Sequence, residues 1–143
     1  MGFKQSDLVP ISSAGPSALT PVAKDPVCKV FQVSRTDTSA TLKAVLPANS
    51  SIIGITYYPS TASDAGDSAT VSFTIANASG TISSGSVDVK GTTTIAEVSN
   101  LTSLPNIEAL PAQGDITVKA TYAEAGTASS TGGPWKFIVR YVR

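Results

Sequence analysis

From residue 28 onward, apolar and polar residues alternate with a period of two, and this pattern constrains the fold more than any other feature. The segment ATVSFTIA places Val71, Phe73 and Ile75 on one side and Ser72 and Thr74 on the other. Successive side chains of a strand point to opposite faces, so this period predicts a strand buried on one face. No long window shows a convincing helical period, and only residues 92–101 could hold one short helical turn. We therefore expect an all-β chain.

The same alternation recurs along the chain, and clusters of Gly, Ser, Asp and Asn that favour turns separate the segments. These segments are CKVFQV (28–33), TLKAVLP (41–47), SIIGITYYP (51–59), GSVDVKG (85–91), DITVKATYA (115–123) and PWKFIVRYVR (134–143). The residues expected to share inward faces include Leu42, Ala44, Leu46, Val87, Val89, Ile116, Val118, Ala120 and Tyr122. About seven short strands with regular turn signals predict an antiparallel two-sheet sandwich. The pattern does not separate a jelly roll from other sandwich topologies.

The last of these segments is rich in aromatic residues on one face. That face carries Trp135, Phe137, Val139 and Tyr141, which form a stripe suited to the core. The glycine pair 132–133 allows the backbone to turn sharply into the strand. An exposed edge strand this apolar would promote aggregation. We therefore expect it to lie between two neighbours in its sheet or to pair with another chain.

Residues 1–27 differ from the rest because Pro10, Pro16, Pro21 and Pro26 lie among Ser, Ala and Gly. Proline at this frequency excludes regular helix and interrupts sheet pairing. We therefore divide the chain into an extended Pro-rich N-terminal arm, 1–27, and a β-sandwich domain, 28–143. We expect the arm to lie along its own domain or a neighbouring subunit, and a disordered tail is the open alternative. Its candidate interaction residues are Leu8, Val9, Ile11, Leu19 and Val22.

Composition excludes several classes of function. The chain has no histidine, which removes the most common general base and metal ligand. The single cysteine, Cys28, cannot form an intrachain disulfide, and we expect its side chain to be buried. Ten basic and ten acidic residues balance to a formal net charge of zero, so we expect no nucleic-acid partner. We also expect no secretory signal and no membrane partner, because no long apolar stretch occurs.

Few residues suggest chemistry. Asp64 and Asp67 lie on one Gly/Ser-rich loop, where they either contribute to a calcium site or act only as turn formers. A glycosidase needs two converging carboxylates. The remaining acids show no spacing that requires convergence, and they include Glu97, Glu108, Asp115 and Glu124. We assign no catalytic, cofactor or metal site and expect that the protein is not an enzyme.

The aromatic residues leave one binding function open. They could form a platform on which sugar rings stack, although their positions within strands favour packing in the core. The residues concerned are Tyr57, Tyr58, Tyr122, Trp135 and Tyr141.

Three stretches resemble decoration, or cement, proteins of tailed-bacteriophage heads. They are YYPSTASDAGDSATVSFTI (57–75), LPNIEALPAQGDITVKATYAE (104–124) and TGGPWKFIVRYV (131–142). The most particular feature is a glycine pair followed by Pro-Trp and a strand ending in Tyr-Val-Arg. The likeness covers residues 50–143. The family implies a β-rich sandwich, often a jelly roll, without enzyme activity or cofactor, which trimerises and clamps neighbouring capsomers.

The resemblance thus implies a structural virion protein that binds the outer surface of a phage capsid and stabilises it. Such a protein is made in the host cytoplasm, and its partners would be the major capsid protein and further copies of itself, with a trimer favoured. One alternative keeps the virion but places the protein at a head-fibre base, neck or tail. Another alternative is a carbohydrate-binding or adhesin module. That module would need solvent-exposed aromatic residues, and calcium at Asp64 and Asp67 would favour it.

Overall fold

The computed structural model describes residues 25–98, 101 and 114–143, and within these ranges it contains eight β-strands and no helix. The strands are β1 (Val27–Val33), β2 (Thr41–Leu46), β3 (Ser51–Tyr58), β4 (Ser68–Asn77), β5 (Gly80–Asp88), β6 (Ala96–Glu97), β7 (Ile116–Ala125) and β8 (Trp135–Val142). The predicted all-β class is confirmed. β1 begins at Val27, which is the last residue of the arm as predicted from the sequence. The arm residues Leu8, Val9, Ile11, Leu19 and Val22 lie outside the described residues, as does Glu108.

The strands form two four-stranded antiparallel sheets. The first sheet has the order β1-β8-β3-β6 and the second sheet has the order β2-β7-β4-β5. Strand one pairs with strand eight, two with seven, three with six and four with five. This is the pairing of one long antiparallel ribbon folded at the β4–β5 hairpin. Rolling that ribbon adds the pairs β3–β8 and β4–β7, which makes the predicted sandwich an eight-stranded jelly roll.

The inward faces of both sheets pack into one hydrophobic core. Phe31 and Phe137 stack within the first sheet with ring centroids 5.7 Å apart, and Phe73 from the second sheet meets Phe137 edge-on at 4.8 Å. Aromatic pairs at such distances add about 0.5–1.5 kcal/mol beyond the burial of their area. The inward faces predicted for β4, β7 and β8 are confirmed. The face predicted for β5 and for Val89, which follows it, is confirmed as well. Their buried residues are Val71, Phe73, Ile75, Val87, Val89, Ile116, Val118, Ala120, Tyr122, Trp135, Phe137, Val139 and Tyr141.

Two predictions about strand faces are wrong. Leu42 is 52% exposed and does not share the buried face of Ala44 and Leu46. The β2–β7 register shifts between Leu42 and Ala44, and the additional residue of this bulge, Lys43, reverses the alternation before it. Cys28, which was expected to be buried, is exposed. It lies on the outward face of β1, an edge strand that no sheet covers on that side.

β8 occupies the centre of the first sheet between β1 and β3, so the predicted protection of this apolar strand is confirmed. Trp135, its first residue, is fully buried. Its Nε1 donates a hydrogen bond to the carbonyl oxygen of Thr61 at 3.0 Å. Gly132 and Gly133 precede it with φ values of 132° and 65°, which confirms that the glycine pair makes the turn into the strand.

Residues 92–98 contain the short strand β6 and no helical turn. β6 pairs with β3 through only two residues. Side chains on the outward face add to this pairing, because Thr56 Oγ1 donates to Glu97 Oε1 at 2.6 Å and Arg140 Nη2 donates to Glu97 Oε2 at 2.8 Å. Glu97 therefore fixes β6 to β3 and β8.

Candidate functional site

Most of the large apolar side chains that the described residues expose lie on two neighbouring edge strands. β1 is an edge of the first sheet and β2 is an edge of the second sheet. The two strands meet on the same side of the sandwich, where Lys29 Nζ of β1 donates to the carbonyl oxygen of Val45 in β2 at 2.6 Å. The exposed apolar residues of these two strands are Val27, Val30, Leu42 and Val45, with exposed fractions of 43%, 59%, 52% and 36%. By register, Val30 faces outward from the first sheet, whereas Leu42 and Val45 face outward from the second. We call these four residues the edge surface.

The first half of β1 protrudes beyond the cover of the second sheet. Its residues 27–30 are all exposed, and burial begins only at Phe31. Lys29 is aligned with the buried Val139. Its side chain extends to β2, so a lysine stands where a buried apolar side chain would otherwise pack. An edge strand leaves half of its backbone N–H and C=O groups without a sheet partner. In the part of the chain that the structure describes, no strand pairs with the outer edge of β1 or of β2.

The edge surface adjoins the point at which the N-terminal segment joins the domain. The described chain starts at Asp25, and β1 begins at Val27. Residues 1–24, which contain the five predicted interaction residues, are therefore linked directly to the edge surface. The sequence pattern predicts interaction residues only in the arm, and the edge surface lies outside that prediction. The segment CKVFQV contained a usable signal, because it carries apolar residues on both faces just after a Pro-rich boundary.

At the end of the sandwich near Trp135, Asp64 connects two loops. Its Oδ1 accepts hydrogen bonds from the backbone N–H groups of Ser130 and Thr131, both at 2.8 Å, and its Oδ2 accepts one from Ser130 Oγ at 2.6 Å. These hydrogen bonds lower the pKa of Asp64 from 3.8 to about 2. The bond from the Ser130 hydroxyl has the largest effect, and the bond from the Thr131 N–H has the next largest. Both carboxylate oxygens thus accept hydrogen bonds from the second loop, so the structural role of Asp64 is to hold the two loops together.

This geometry bears on the calcium alternative. Calcium takes six to eight oxygen ligands, usually with several carboxylates. Asp64 instead faces N–H and O–H donors, and Asp67 makes no side-chain hydrogen bond to any described residue. Across residues 25–98, 101 and 114–143, no group of three or more His, Cys, Asp or Glu side chains could hold a metal ion.

A second carboxylate fastens the same end of the sandwich. The Tyr122 hydroxyl donates to Glu124 Oε2 at 2.6 Å and lies 2.9 Å from Ser63 Oγ, and the Ser129 hydroxyl also donates to Glu124. The hydrogen bonds from Ser129, and next from Tyr122, lower the pKa of Glu124. A carboxylate with a lowered pKa is a weak proton acceptor. Glu124 is therefore better suited to holding the Ser129 loop in place than to activating the Ser129 hydroxyl as a nucleophile.

Four of the five aromatic residues considered for a sugar platform are buried, which confirms their core packing: Tyr57, Tyr122, Trp135 and Tyr141. Tyr58 is the exception. It is half-buried on the outward face of the first sheet and lines a surface cavity of about 460 Å³. We call this cavity the Tyr58 pocket, and its lining residues are Gln32, Tyr58, Pro59, Ser60, Pro134 and Lys136.

Comparison with protein-family models, with curated proteins and with solved structures found no significant match for this chain. Within the described ranges, no helix has the length and hydropathy needed to cross a bilayer.

Proposed function

We propose that this chain is a structural protein of a bacteriophage virion that binds the outer surface of the capsid and stabilises it. The observation that carries the proposal is the edge surface, where Val27, Val30, Leu42 and Val45 are exposed beside the junction with residues 1–24. Apolar side chains exposed along unpaired strand edges favour contact with another chain, which would cover both the edges and the side chains. The choice of the capsid as partner rests on the resemblance to phage decoration proteins.

The two parts of the proposed contact complement each other. The edge surface offers unpaired strand edges and four apolar side chains, and the arm carries Leu8, Val9, Ile11, Leu19 and Val22. Contact between the edge of one copy and the arm of the next is heterologous, and such contacts close into a ring when the rotation allows it. The proposed oligomer is a trimer. Each contact is small, and many copies on one lattice act together through multivalency.

The proposed partners are the major capsid protein and further copies of the chain, and the proposed location is the capsid surface after synthesis in the host cytoplasm. The proposal includes no enzymatic activity, cofactor, nucleic-acid partner or membrane partner. The domain suits a load-bearing role, because Asp64 joins two loops to each other and Glu124 holds the loop that follows β7 against its strand. A head-fibre base, neck or tail component would use the same surface and differ in copy number.

Rate-zonal sedimentation of phage particles, with this chain quantified by mass spectrometry across the gradient, tests the proposal. We expect the chain to migrate with the particle in hundreds of copies, at a fixed ratio to the major shell protein. A few copies per particle would instead place it at the neck, tail or fibre base. Recovery only as a small soluble species would contradict every virion assignment.

A further inference from the structure

The Tyr58 pocket has no part in the proposed capsid contact. Gln32, Lys136 and Tyr58 are aligned across β1, β8 and β3, and all three lie on the outward face of the first sheet. Side chains directly opposite on adjacent strands lie about 4.5–5.5 Å apart, so these three form a continuous row. Residues 59–60, which follow β3, and Pro134, which precedes β8, close one end of the row.

The polar groups of this row have no partner within the described part of the chain. The Gln32 amide, the Tyr58 hydroxyl and the Lys136 ammonium make no hydrogen bond or ion pair there. Lys136 is the one charged residue among those that line the pocket, and no carboxylate lines it. The pocket thus combines a cation with an amide that both donates and accepts hydrogen bonds. Beside these groups lie a tyrosine ring and two proline rings.

A ligand that matches this arrangement needs three features at once. It needs an apolar ring face to lie against Tyr58, hydroxyl groups to bond to Gln32 and Ser60, and a negative charge opposite Lys136. A pyranose ring has an apolar C–H face and a hydroxyl-bearing edge, and a uronic acid adds a carboxylate. The cavity of about 460 Å³ lies within the range of about 300–1,000 Å³ typical of small-molecule sites.

We propose that the Tyr58 pocket binds an acidic sugar of the hexuronate class. The carboxylate pairs with Lys136, the ring stacks on Tyr58, and the Gln32 amide bonds to neighbouring hydroxyls. A neutral sugar leaves the Lys136 charge without a partner, and a simple aliphatic acid leaves the Gln32 amide and the tyrosine ring unused. This inference does not depend on the proposed capsid role, so either can fail without the other.

Titration of the isotope-labelled full chain with sodium glucuronate, followed by NMR, tests the proposal. We expect saturable shifts of the Gln32 side-chain amide and of the backbone amides of Tyr58 and Lys136, with a Kd on the order of 1 mM. Glucose is the neutral control and should bind at least about tenfold more weakly. Equal binding of glucose, or no saturable shift at these groups, would overturn the proposal. Tighter binding of a short peptide containing Glu and Pro would also overturn it.

Matched variants separate a specific pocket from general attraction of anions. Lys136→Gln should weaken glucuronate binding at least about tenfold and leave glucose unaffected. Lys119→Gln is the control, because Lys119 is exposed on the outward face of the second sheet and should leave glucuronate affinity unchanged. An equal loss in the two variants would show non-specific attraction and contradict the proposal. Tyr58→Phe keeps the ring, so stacking predicts that most of the affinity remains.

Discussion

The rings of Trp135 and Tyr122 lie stacked with centroids 5.2 Å apart, although Trp135 belongs to the first sheet and Tyr122 to the second. The Tyr122 hydroxyl contacts Ser63 and Glu124, and the Trp135 indole donates to Thr61. The Tyr122 hydroxyl also lies 3.2 Å from Ser129 Oγ, so one aromatic pair links both sheets to the loops that follow β3 and β7. This end of the sandwich is held by side chains rather than by strand pairing alone.

Replacing Trp135 with Ala should lower the free energy of unfolding by about 3–5 kcal/mol, because it removes a fully buried ring and its hydrogen bond. Equilibrium unfolding in urea measures the change. Val30→Ala is the control, since Val30 is exposed, and it should change the stability by less than about 0.5 kcal/mol. An equally small change for Trp135→Ala would contradict the burial of the ring.

Acid should remove the contribution of Asp64 to stability. Its folded pKa of about 2 lies below the usual 3.8, so the ionised carboxylate stabilises the fold above about pH 4, and this stabilisation is lost as the pH falls towards 2. Asp64→Asn should therefore lower Tm at neutral pH, with a difference from the wild type that shrinks on acidification.

Calorimetry across this pH range checks the expectation. Taking the difference between variant and wild type separates Asp64 from Glu124, whose pKa is also lowered. Asp67→Asn is the matched control on the same loop, because its carboxylate bonds to no described residue, and its Tm should follow the wild type. A constant offset for Asp64→Asn down to pH 2 would show that its charge does not matter.

Gly132→Ala should destabilise the fold more than Gly80→Ala does. Both glycines have strongly positive φ values, 132° and 128°, but a Cβ at Gly132 would lie 2.9 Å from Ser63 Cα, and one at Gly80 would meet nothing within 4 Å. The shared conformational strain is about 1–3 kcal/mol, and the clash at Gly132 should add about 1 kcal/mol or more. Urea unfolding of the two variants isolates the clash, and equal losses would contradict it.

Deleting residues 1–24 should leave the domain folded and weaken its attachment to capsids. The cut retains Val27, which begins β1 and is aligned with Tyr141, so every described strand stays complete. Circular dichroism and Tm should match the full chain within a few degrees, and the bound fraction in capsid co-sedimentation should fall. An unfolded truncated chain would mean that the arm belongs to the core.

Placing a charge on the edge surface should weaken assembly without unfolding the domain. Val30→Lys and Val45→Lys put an ammonium where apolar contact is proposed, and binding to capsids should fall at least tenfold, which corresponds to about 1.4 kcal/mol. Ser72→Lys is the control, because Ser72 is exposed on the outward face of the second sheet. Unchanged capsid binding by both edge variants would exclude this surface.

Periodicity predicted the all-β class, the buried faces of β4, β5, β7 and β8, and the protection of β8 by a neighbour in its sheet or in another chain. It failed at Leu42, because a bulge changes the alternation without a signature in the pattern. The burial of Cys28 was expected from its residue type, and this failed because residue type does not tell which face of β1 the other sheet covers. β6 is too short to show a period. The hydrogen bonds that hold Glu97 come from Thr56 and Arg140, which are 41 and 43 positions away from it in the sequence.

The candidate sites were harder to predict for the same physical reason. The Tyr58 pocket joins three strands that are far apart in the sequence, and only their register aligns Gln32, Tyr58 and Lys136. The edge surface depends on which strands end each sheet. Local sequence patterns report which residues alternate, whereas strand order and register are set by contacts across the whole chain.

The rolled ribbon also determines how the domain responds to a pulling force. Because β1 and β8 are antiparallel neighbours, Val27 is aligned with Tyr141, and the start of β1 and the end of β8 lie side by side. Tension between these ends would open the β1–β8 hydrogen bonds in succession, like a zipper. Tension along the strands would load the whole ladder at once. A load applied between the start of β1 and the end of β8 would therefore separate the exposed residues 27–30 before it reached Phe31 and the aromatic core.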